Sequence, residues 1–215
     1  MKHKICLFAI VILSACTVKT THKTVNKIKF SNKVISDSLL AKIPSIKYSR
    51  FELNSNSNQK IEQRYIKLTQ NQIDFFFTFK EQKKLNDFME FKTYFLGKKQ
   101  LSKDKQAIFL ICDADYMGIY LYCAIINQTG KLIGKFNPAY LEVDADYSIN
   151  GKGEFVNDST YRFTEVDFQY IDDNHKKATQ DSLIRIFHIT PKQIQIMKET
   201  KFPTDTIREE ENLIN

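Results

Sequence analysis

The second half of the sequence is a succession of short apolar or alternating runs separated by turn residues, and no other feature constrains the fold as strongly. Turn signals recur roughly every 8 to 12 residues, as in antiparallel all-β folds. The runs with strand character are Ala107–Cys112, Ile119–Ile126, Leu132–Phe136, Tyr140–Tyr147, Gly153–Val156, Thr160–Ile171, Ser182–Thr190 and Gln193–Met197. Two earlier runs, Tyr48–Leu53 and Phe88–Leu96, resemble them. We therefore expect a mainly antiparallel sheet.

Turn and burial signals add detail to this sheet. Asn127–Lys131 predicts a tight hairpin turn, because Gly130 accepts the left-handed backbone that such turns need. Asn137–Pro138 predicts a further break in the chain, and Pro191–Lys192 predicts the last turn. Between Tyr161 and Tyr170, aromatic or apolar side chains alternate with polar ones. That strand is therefore expected to have one face in water.

Helical signals come before these strands. Ser36–Ile43 contains an N-cap and a short apolar face, and Pro44 ends it. Thr69 and Gln72 have the spacing of a capping box, which predicts a helix from Gln70 to Phe79. A strand through the phenylalanines at the end of this segment is the alternative. The following polar run, 80–86, is expected to separate it from the next strand.

These patterns predict an α+β fold: a mainly antiparallel β-meander, small barrel or sandwich with a short helical N-terminal part. Hydrophobic residues make up 42% and charged residues 27% of the chain, as in one globular domain. The 17 Phe and 10 Tyr favour a β-rich core. A sugar-stacking surface is the alternative, which the absence of Trp makes weaker.

The first residues have the anatomy of an export signal. The basic segment Lys2–Lys4 precedes nine apolar residues, Ile5–Leu13, and the small pair Ser14–Ala15 stands before Cys16. Nine apolar residues are too few to cross a hydrocarbon core of about 30 Å, which takes about 20 helical residues. We therefore expect residues 1–15 to be removed on export.

Leu13–Cys16 resembles the lipobox of bacterial lipoproteins, in which Leu, a small residue and Ala or Gly precede the cysteine. The resemblance implies that Cys16 receives a diacylglyceryl group and becomes the acylated first residue of the mature protein. Several acyl chains together anchor a protein stably in a membrane. An ordinary secretory signal, which would leave Cys16 unmodified, is the alternative. Because Thr17 replaces the Asp that retains enterobacterial lipoproteins in the inner membrane, the outer membrane facing the periplasm is favoured in a Gram-negative host.

The formal charge of +7 is partly due to the leader, since residues 17–33 contain five Lys and no Asp or Glu. Such a segment suits an anionic membrane surface. We expect a tether over residues 16–31, one β-rich domain over 32–198 and a polar tail over 199–215. Nucleic acid is not an expected partner, because no recognition motif accompanies the charge.

Two cysteines remain besides the proposed lipid site. Cys112 and Cys123 would face each other if the hairpin that joins their strands were symmetric about residues 117 and 118. An exported location permits a disulfide between them. The alternative is two small buried thiols.

Acidic tripeptides and known catalytic motifs complete the search for chemistry. Asp113–Asp115 and Asp144–Asp146 repeat Asp-Ala-Asp, but the residues after them lack the pattern of an EF-hand, so they are expected at solvated strand ends. The chain contains no His-Glu-x-x-His pair, Gly-x-Ser-x-Gly elbow or phosphate-binding glycine loop. We predict no catalytic residue, no metal and no cofactor.

The hairpin Asn127–Ile133, Asn-x-x-Gly-Lys-x-Ile, is similar to hairpins that recur in uncharacterised small β-rich lipoproteins of the Bacteroidetes. This resemblance implies no reaction. The preferred prediction is a non-enzymatic, lipid-anchored envelope protein that binds an unknown protein or small molecule. The alternatives are an envelope hydrolase with converging carboxylates or His and a hollow carrier of a small apolar ligand.

Overall fold

The computed structural model describes residues 34–54, 61–86, 92–113, 118–172 and 174–208. Within them the helices are α1 (Asp37–Lys42), α2 (Ile61–Arg64), α3 (Gln70–Phe76) and α4 (Phe79–Asn86). The strands are β1 (Arg50–Phe51), β2 (Ile66–Lys67), β3 (Lys92–Ser102), β4 (Lys105–Asp113), β5 (Ile119–Asn127), β6 (Leu132–Val143), β7 (Tyr147–Asn157), β8 (Thr160–Tyr170), β9 (Lys177–Ile189), β10 (Ile194–Lys201) and β11 (Asp205–Arg208). The predicted signal peptide, Cys16 and the tether lie outside these residues.

Consecutive strands from β2 to β10 are neighbours in one antiparallel sheet, each paired with the next. β1 pairs with β7, and β11 pairs with β9. A chain that turns back after every strand produces this up-and-down order. The predicted α+β fold with a mainly antiparallel β-meander is confirmed.

The sheet curls until β10 lies against β6, four strands away in the sheet order. A Cβ built on Gly134 of β6 would lie 3.1 Å from Ile194 Cδ1 of β10, which shows how closely the two strands approach. The concave surface holds a buried hydrophobic cluster, which we call the inner core. Its large aromatic members are Phe51, Tyr94, Phe109, Phe136, Phe155, Tyr161, Phe163 and Phe187.

Aromatic rings fill the inner core. The rings of Phe51 and Phe109 stack with centroids 4.5 Å apart, and those of Phe136 and Phe187 stack at 5.1 Å. Offset contacts at these distances are favourable beyond the burial of area. The rings therefore contact one another rather than lining an empty space.

A second cluster, the outer core, lies on the convex side of β3–β6 beneath α1 and α3. Its members include Ile35, Ile43, Phe76, Phe95, Ile108, Leu110 and Ala124. β4 supplies alternate residues to the two cores and is buried on both faces. This explains the nearly unbroken apolar run from which strand β4 was predicted.

Residues 44–53, which we call the strap, connect the edges of two distant strands. Ile46 donates its N–H to Lys98 O in β3 at 2.8 Å, and β1, within the strap, pairs with β7. The strap passes so close to β3 that a Cβ on Gly97 would overlap Ile46 Cγ2. Glycine at position 97 is therefore a steric requirement.

The predicted helix signals are largely confirmed. Ser36 caps α1 with a hydrogen bond from Leu39 N–H, and α1 ends before Pro44. α3 begins after Thr69, whose N–H donates to Gln72 Oε1 at 2.8 Å. However, α3 ends at Phe76, three residues earlier than predicted.

The polar run after α3 lies between α3 and β3, as expected, but it forms a helix, α4, that was not predicted. Thr78 caps α4, and its N–H donates to Glu81 Oε2 at 2.7 Å. A polar sequence forms a helix here because local capping supports it.

A buried lysine fixes the α3–α4 junction to the sheet. The side chain of Lys135 in β6 is 5% exposed, and its Nζ lies 2.8 Å from Glu81 Oε2 and donates to Phe76 O at 2.7 Å. Burial lowers the pKa of Lys135, although Glu81 opposes this shift. Burial would raise the pKa of Glu81, but the hydrogen bonds from Lys135 and Thr78 outweigh it and keep that pKa below its usual value.

Two further boundaries differ from the prediction. β6 continues through Asn137–Pro138, because the pairing with β5 shifts there and Pro is tolerated at such an irregularity. The predicted tail, 199–215, contains the end of β10 and all of β11. Within the described residues no helix is long and apolar enough to cross a membrane.

Candidate functional site

Polar side chains continue the concave surface where the inner core ends. Tyr161 and Phe163 of β8 lie in the inner core, and strand alternation places Glu165 and Asp167 on the same face. In β9, Phe187 lies in the core, and the same alternation places residues 185, 183 and 181 beyond it. A surface that is apolar at one end is therefore acidic at the other.

These side chains line a cavity of about 340 Å³, which we call the acidic basin. The segment between β10 and β11 closes one side. The lining residues are Glu165, Asp167, Asp181, Ser182, Leu183, Arg185, Lys201, Phe202 and Thr204.

Two carboxylates face each other directly at the basin. Asp167 and Asp181 are cross-strand partners in the β8–β9 register. Burial, Asp181 and Glu165, in that order, raise the pKa of Asp167. Like charges directly opposite destabilise an antiparallel pair. In the described structure neither carboxylate forms an ion pair with Lys or Arg, so the two like charges face each other without a direct cationic partner, although Arg185 and Lys201 line the same cavity.

The neighbouring arginine is already engaged. Arg185 Nε lies 2.8 Å from Glu199 Oε2, and Arg185 Nη1 lies 3.7 Å from Glu165 Oε2. Its Nε and Nη1 groups are directed at these two carboxylates, and Arg185 forms no ion pair with Asp167 or Asp181 in the described structure. Arg185 therefore lies between Glu199 and Glu165 and makes no direct contact with the facing pair Asp167 and Asp181.

A tyrosine reaches the same network across an intervening strand. Tyr140 of β6, Gly151 of β7 and Glu165 of β8 are in register, and Tyr140 O–H donates to Glu165 Oε2. A Cβ on Gly151 would lie 2.8 Å from the Tyr140 ring, so glycine makes the crossing possible. Burial and the bond to Glu165 raise the pKa of Tyr140.

The rim carries an aromatic ring in water. Phe202 is 47% exposed, and its N–H donates to Ser182 O at 2.9 Å, which fixes the backbone of this segment. Thr204 O–H donates to Asp181 Oδ1. An exposed ring beside carboxylates provides the two features that attract an ammonium or guanidinium group.

The predicted facing of Cys112 and Cys123 is wrong. The β4–β5 register is centred on residue 116, so Cys112 opposes Tyr120 and Cys123 opposes Phe109. Cys123 lies in the inner core and Cys112 in the outer core, and both thiols are free and buried. The two thiols lie on opposite faces of the sheet, so this register does not allow a disulfide between them. Burial raises the pKa of both thiols.

The second acidic tripeptide forms the β6–β7 turn, at an exposed site as predicted. Asp146 Oδ1 lies 3.0 Å from His175 Nε2, and the His175 ring stacks on Tyr170 at 4.4 Å. Both side chains of this contact are exposed to solvent. Among the described residues, no three His, Cys, Asp or Glu side chains form a group that could hold a metal ion.

Comparison with protein-family models, with curated proteins and with solved structures found no match to this chain. The function is therefore argued from the geometry of the acidic basin. Sequence reasoning missed this site, although β8 contains its signal. The alternation in Tyr161–Tyr170 is not clean, because the apolar positions change from odd numbers, up to Phe163, to even numbers from Val166 onward. Glu165 and Asp167 come at the odd-numbered positions after this change, and so they lie on the face of β8 whose earlier residues belong to the inner core.

Proposed function

We propose that this protein is a lipid-anchored binding module of the cell envelope, and that its acidic basin takes a cationic group of a partner. The ligand group is an ammonium or a guanidinium, carried by a basic peptide segment or a small amine. The observation that supports this proposal is the facing pair Asp167 and Asp181, which has no cation of its own in the described structure. A bound cation would remove the repulsion and would also contact the Phe202 ring.

The position of the basin suits a partner located away from the membrane. The chain enters the described structure at Val34, which pairs with Lys131 beside the β5–β6 turn. In a meander the β7–β8 turn lies at that same end, and Asp167 is seven residues beyond the start of β8 at Thr160. At about 3.3 Å per residue, the basin lies roughly 20 Å from the end at which the tether attaches.

The lipid anchor in this proposal is supported by the Leu13–Cys16 motif alone. Intact-mass analysis and detergent partition of the chain expressed with its own signal, beside a Cys16→Ala variant, test it. Acyl mass on the wild type and loss of detergent partition in the variant are the expected results. Identical cleavage and solubility of the two forms would mean a freely secreted protein.

Titration with a lysine tripeptide tests the basin, with a norleucine tripeptide as the uncharged match. We expect the lysine tripeptide to shift the amide resonances of β8 and β9, and added salt to weaken binding. Asp167→Asn should weaken binding about tenfold, the effect of one charge-assisted hydrogen bond.

Asp158→Asn is the control, because it removes the same charge at an exposed residue of the β7–β8 turn. Its affinity should equal that of the wild type. An equal loss of affinity in the two variants would mean that binding of the lysine tripeptide depends only on the net charge of the protein. Equal affinity for the two tripeptides would contradict recognition of a cation.

The two alternative functions have less support from the geometry. A carrier of apolar ligands needs an empty interior, whereas the rings of the inner core contact one another. A hydrolase needs a nucleophile or activated water among its carboxylates, and the basin offers carboxylates whose described partners are Arg185, Tyr140 and Thr204.

A further inference from the structure

Positive and negative side chains line the acidic basin together. Lys201 of β10 belongs to its lining, as does the apolar side chain of Leu183. Leu183 is directly opposite Glu165 of β8 on one side and directly opposite Lys201 on the other. Side chains of directly opposed residues lie on the same face of a sheet. One row of the basin therefore runs from a carboxylate on β8, over an apolar floor, to an ammonium on β10.

The facing pair Asp167 and Asp181 forms the next row of the basin, two residues farther along each strand. Two residues of a strand span about 6.7 Å, and neighbouring strands lie about 4.8 Å apart. By these spacings the Lys201 backbone lies roughly 10 Å from the centre of the facing pair. The four-carbon stem of Lys201 covers part of this distance. An aliphatic chain over Leu183 can therefore connect a group at the facing pair to a group at Lys201.

The charges of the basin fix the orientation of such a molecule. Glu165 accepts the Tyr140 O–H, and its Oε2 lies 3.7 Å from Arg185 Nη1 on the β8 side. A carboxylate of the ligand is repelled by Glu165 and attracted to Lys201 on the β10 side. The ammonium of the ligand is attracted to the facing pair. Complementary placement of opposite charges gives specificity and a defined register.

We propose that the ligand of the acidic basin carries a carboxylate as well as an ammonium group, joined by an aliphatic chain. The ammonium lies at Asp167 and Asp181. The aliphatic chain covers Leu183, and the carboxylate binds Lys201. This inference rests on the proposed function, because its ammonium is the cation that the facing pair takes. A carboxy-terminal lysine of a peptide and a free ω-amino acid share this chemistry.

Titration of the full chain with 6-aminohexanoate, followed by the amide resonances of β8, β9 and β10, tests the proposal. The matched probe is 6-aminohexanamide, which keeps the ammonium and lacks the carboxylate. We expect 6-aminohexanoate to bind about tenfold more tightly, the effect of one charge-assisted hydrogen bond. Acetyl-glycyl-lysine distinguishes the two sources of the ligand. Tighter binding than that of 6-aminohexanoate identifies a peptide end, and weaker binding identifies a free amino acid.

Lys201→Gln should lower the affinity for 6-aminohexanoate about tenfold and leave that for 6-aminohexanamide nearly unchanged. Lys198→Gln is the control, because it removes the same charge from an exposed residue of the same strand. Lys198 is directly opposite Ile186, whose side chain lies on the other face of β9 from that of Leu183. This variant should keep the preference for the carboxylate.

The outcomes separate this proposal from the proposed function. Equal affinity of the wild type for the two hexyl probes, or a preference that persists in Lys201→Gln, would overturn the proposal. Binding of the lysine tripeptide without binding of 6-aminohexanoate would overturn it too and leave the proposed function intact. If neither hexyl probe nor the lysine tripeptide bound, the proposed function would itself be wrong.

Discussion

Replacing Asp167 by Asn should stabilise the free protein while weakening its binding of a cation. The substitution preserves the shape of the side chain and removes one of two charges that face each other across β8 and β9. Directly opposed like charges cost roughly 0.2–1 kcal/mol in an antiparallel pair. Partial burial of Asp167 places the expected gain in the upper half of that range, at about 0.5–1 kcal/mol.

The gain depends on pH in a defined direction. Asp167 has a raised pKa in the folded state, so the folded protein holds this proton more tightly than the unfolded chain does. Stability is therefore lost as the pH rises from the unfolded-state value through the raised folded-state pKa. Below the unfolded value of about 3.9 the wild type is protonated in both states, and the advantage of the variant disappears.

Thermal unfolding followed by circular dichroism at pH 7 and near pH 3 measures this effect. For a domain of 150–250 residues, 1 kcal/mol corresponds to about 2–4 °C in Tm, so we expect a rise of about 1–4 °C at pH 7 and none near pH 3. Asp158→Asn is the control and should leave Tm nearly unchanged. Because the chain is already positive, loss of a negative charge would not stabilise it through net charge. An unchanged or lower Tm for Asp167→Asn at pH 7 would refute the reasoning.

Three further substitutions or treatments probe the rest of the fold. Lys135→Ala should lower the free energy of unfolding in urea by about 2–4 kcal/mol, because it leaves the Glu81 carboxylate without its buried partner. Lys131→Ala, at the exposed end of the same hairpin, is the control and should change the free energy of unfolding by less than about 0.5 kcal/mol. Gly97→Ala should cost about 1–3 kcal/mol in the same assay, since its methyl group overlaps the strap; a neutral result would mean that the strap moves freely. Cys112 and Cys123 should resist alkylation in the native protein and both react with iodoacetamide in denaturant without reductant, as judged by intact mass; an unreactive pair in denaturant would mean a disulfide.

Local signals predicted the meander because each of its elements depends on neighbouring residues. Gly130 has a left-handed φ of 73° in the hairpin turn, as expected, and Pro44 follows the end of α1. Pro138 was predicted as a break because a proline cannot donate to a ladder, yet it lies where the β5–β6 pairing shifts. That irregularity depends on how β6 pairs with β5, which the residues around Pro138 alone do not indicate.

The acidic basin was harder to predict because its residues are brought together by the register of paired strands. The separation of Asp167 and Asp181 in sequence says nothing of their distance until the β8–β9 pairing is known. The same holds for the cysteines, since a small change of register in the β4–β5 hairpin moves one thiol to the other face of the sheet. Turns and the types of residue in each strand can be predicted from the sequence. The face of the sheet on which a side chain lies depends on the exact register of the paired strands.

The strap determines the order in which this chain can fold. Neighbouring strands of the meander close short loops, which form early at low entropic cost. The strap contacts Lys98 about fifty residues downstream and Gly153 about a hundred residues downstream of Phe51. The chain is synthesised amino terminus first, so the pairing of the strap with β7 must wait until β7 has been made. Until then the aromatic rings of the inner core are exposed, and this interval is when the protein most needs protection from aggregation.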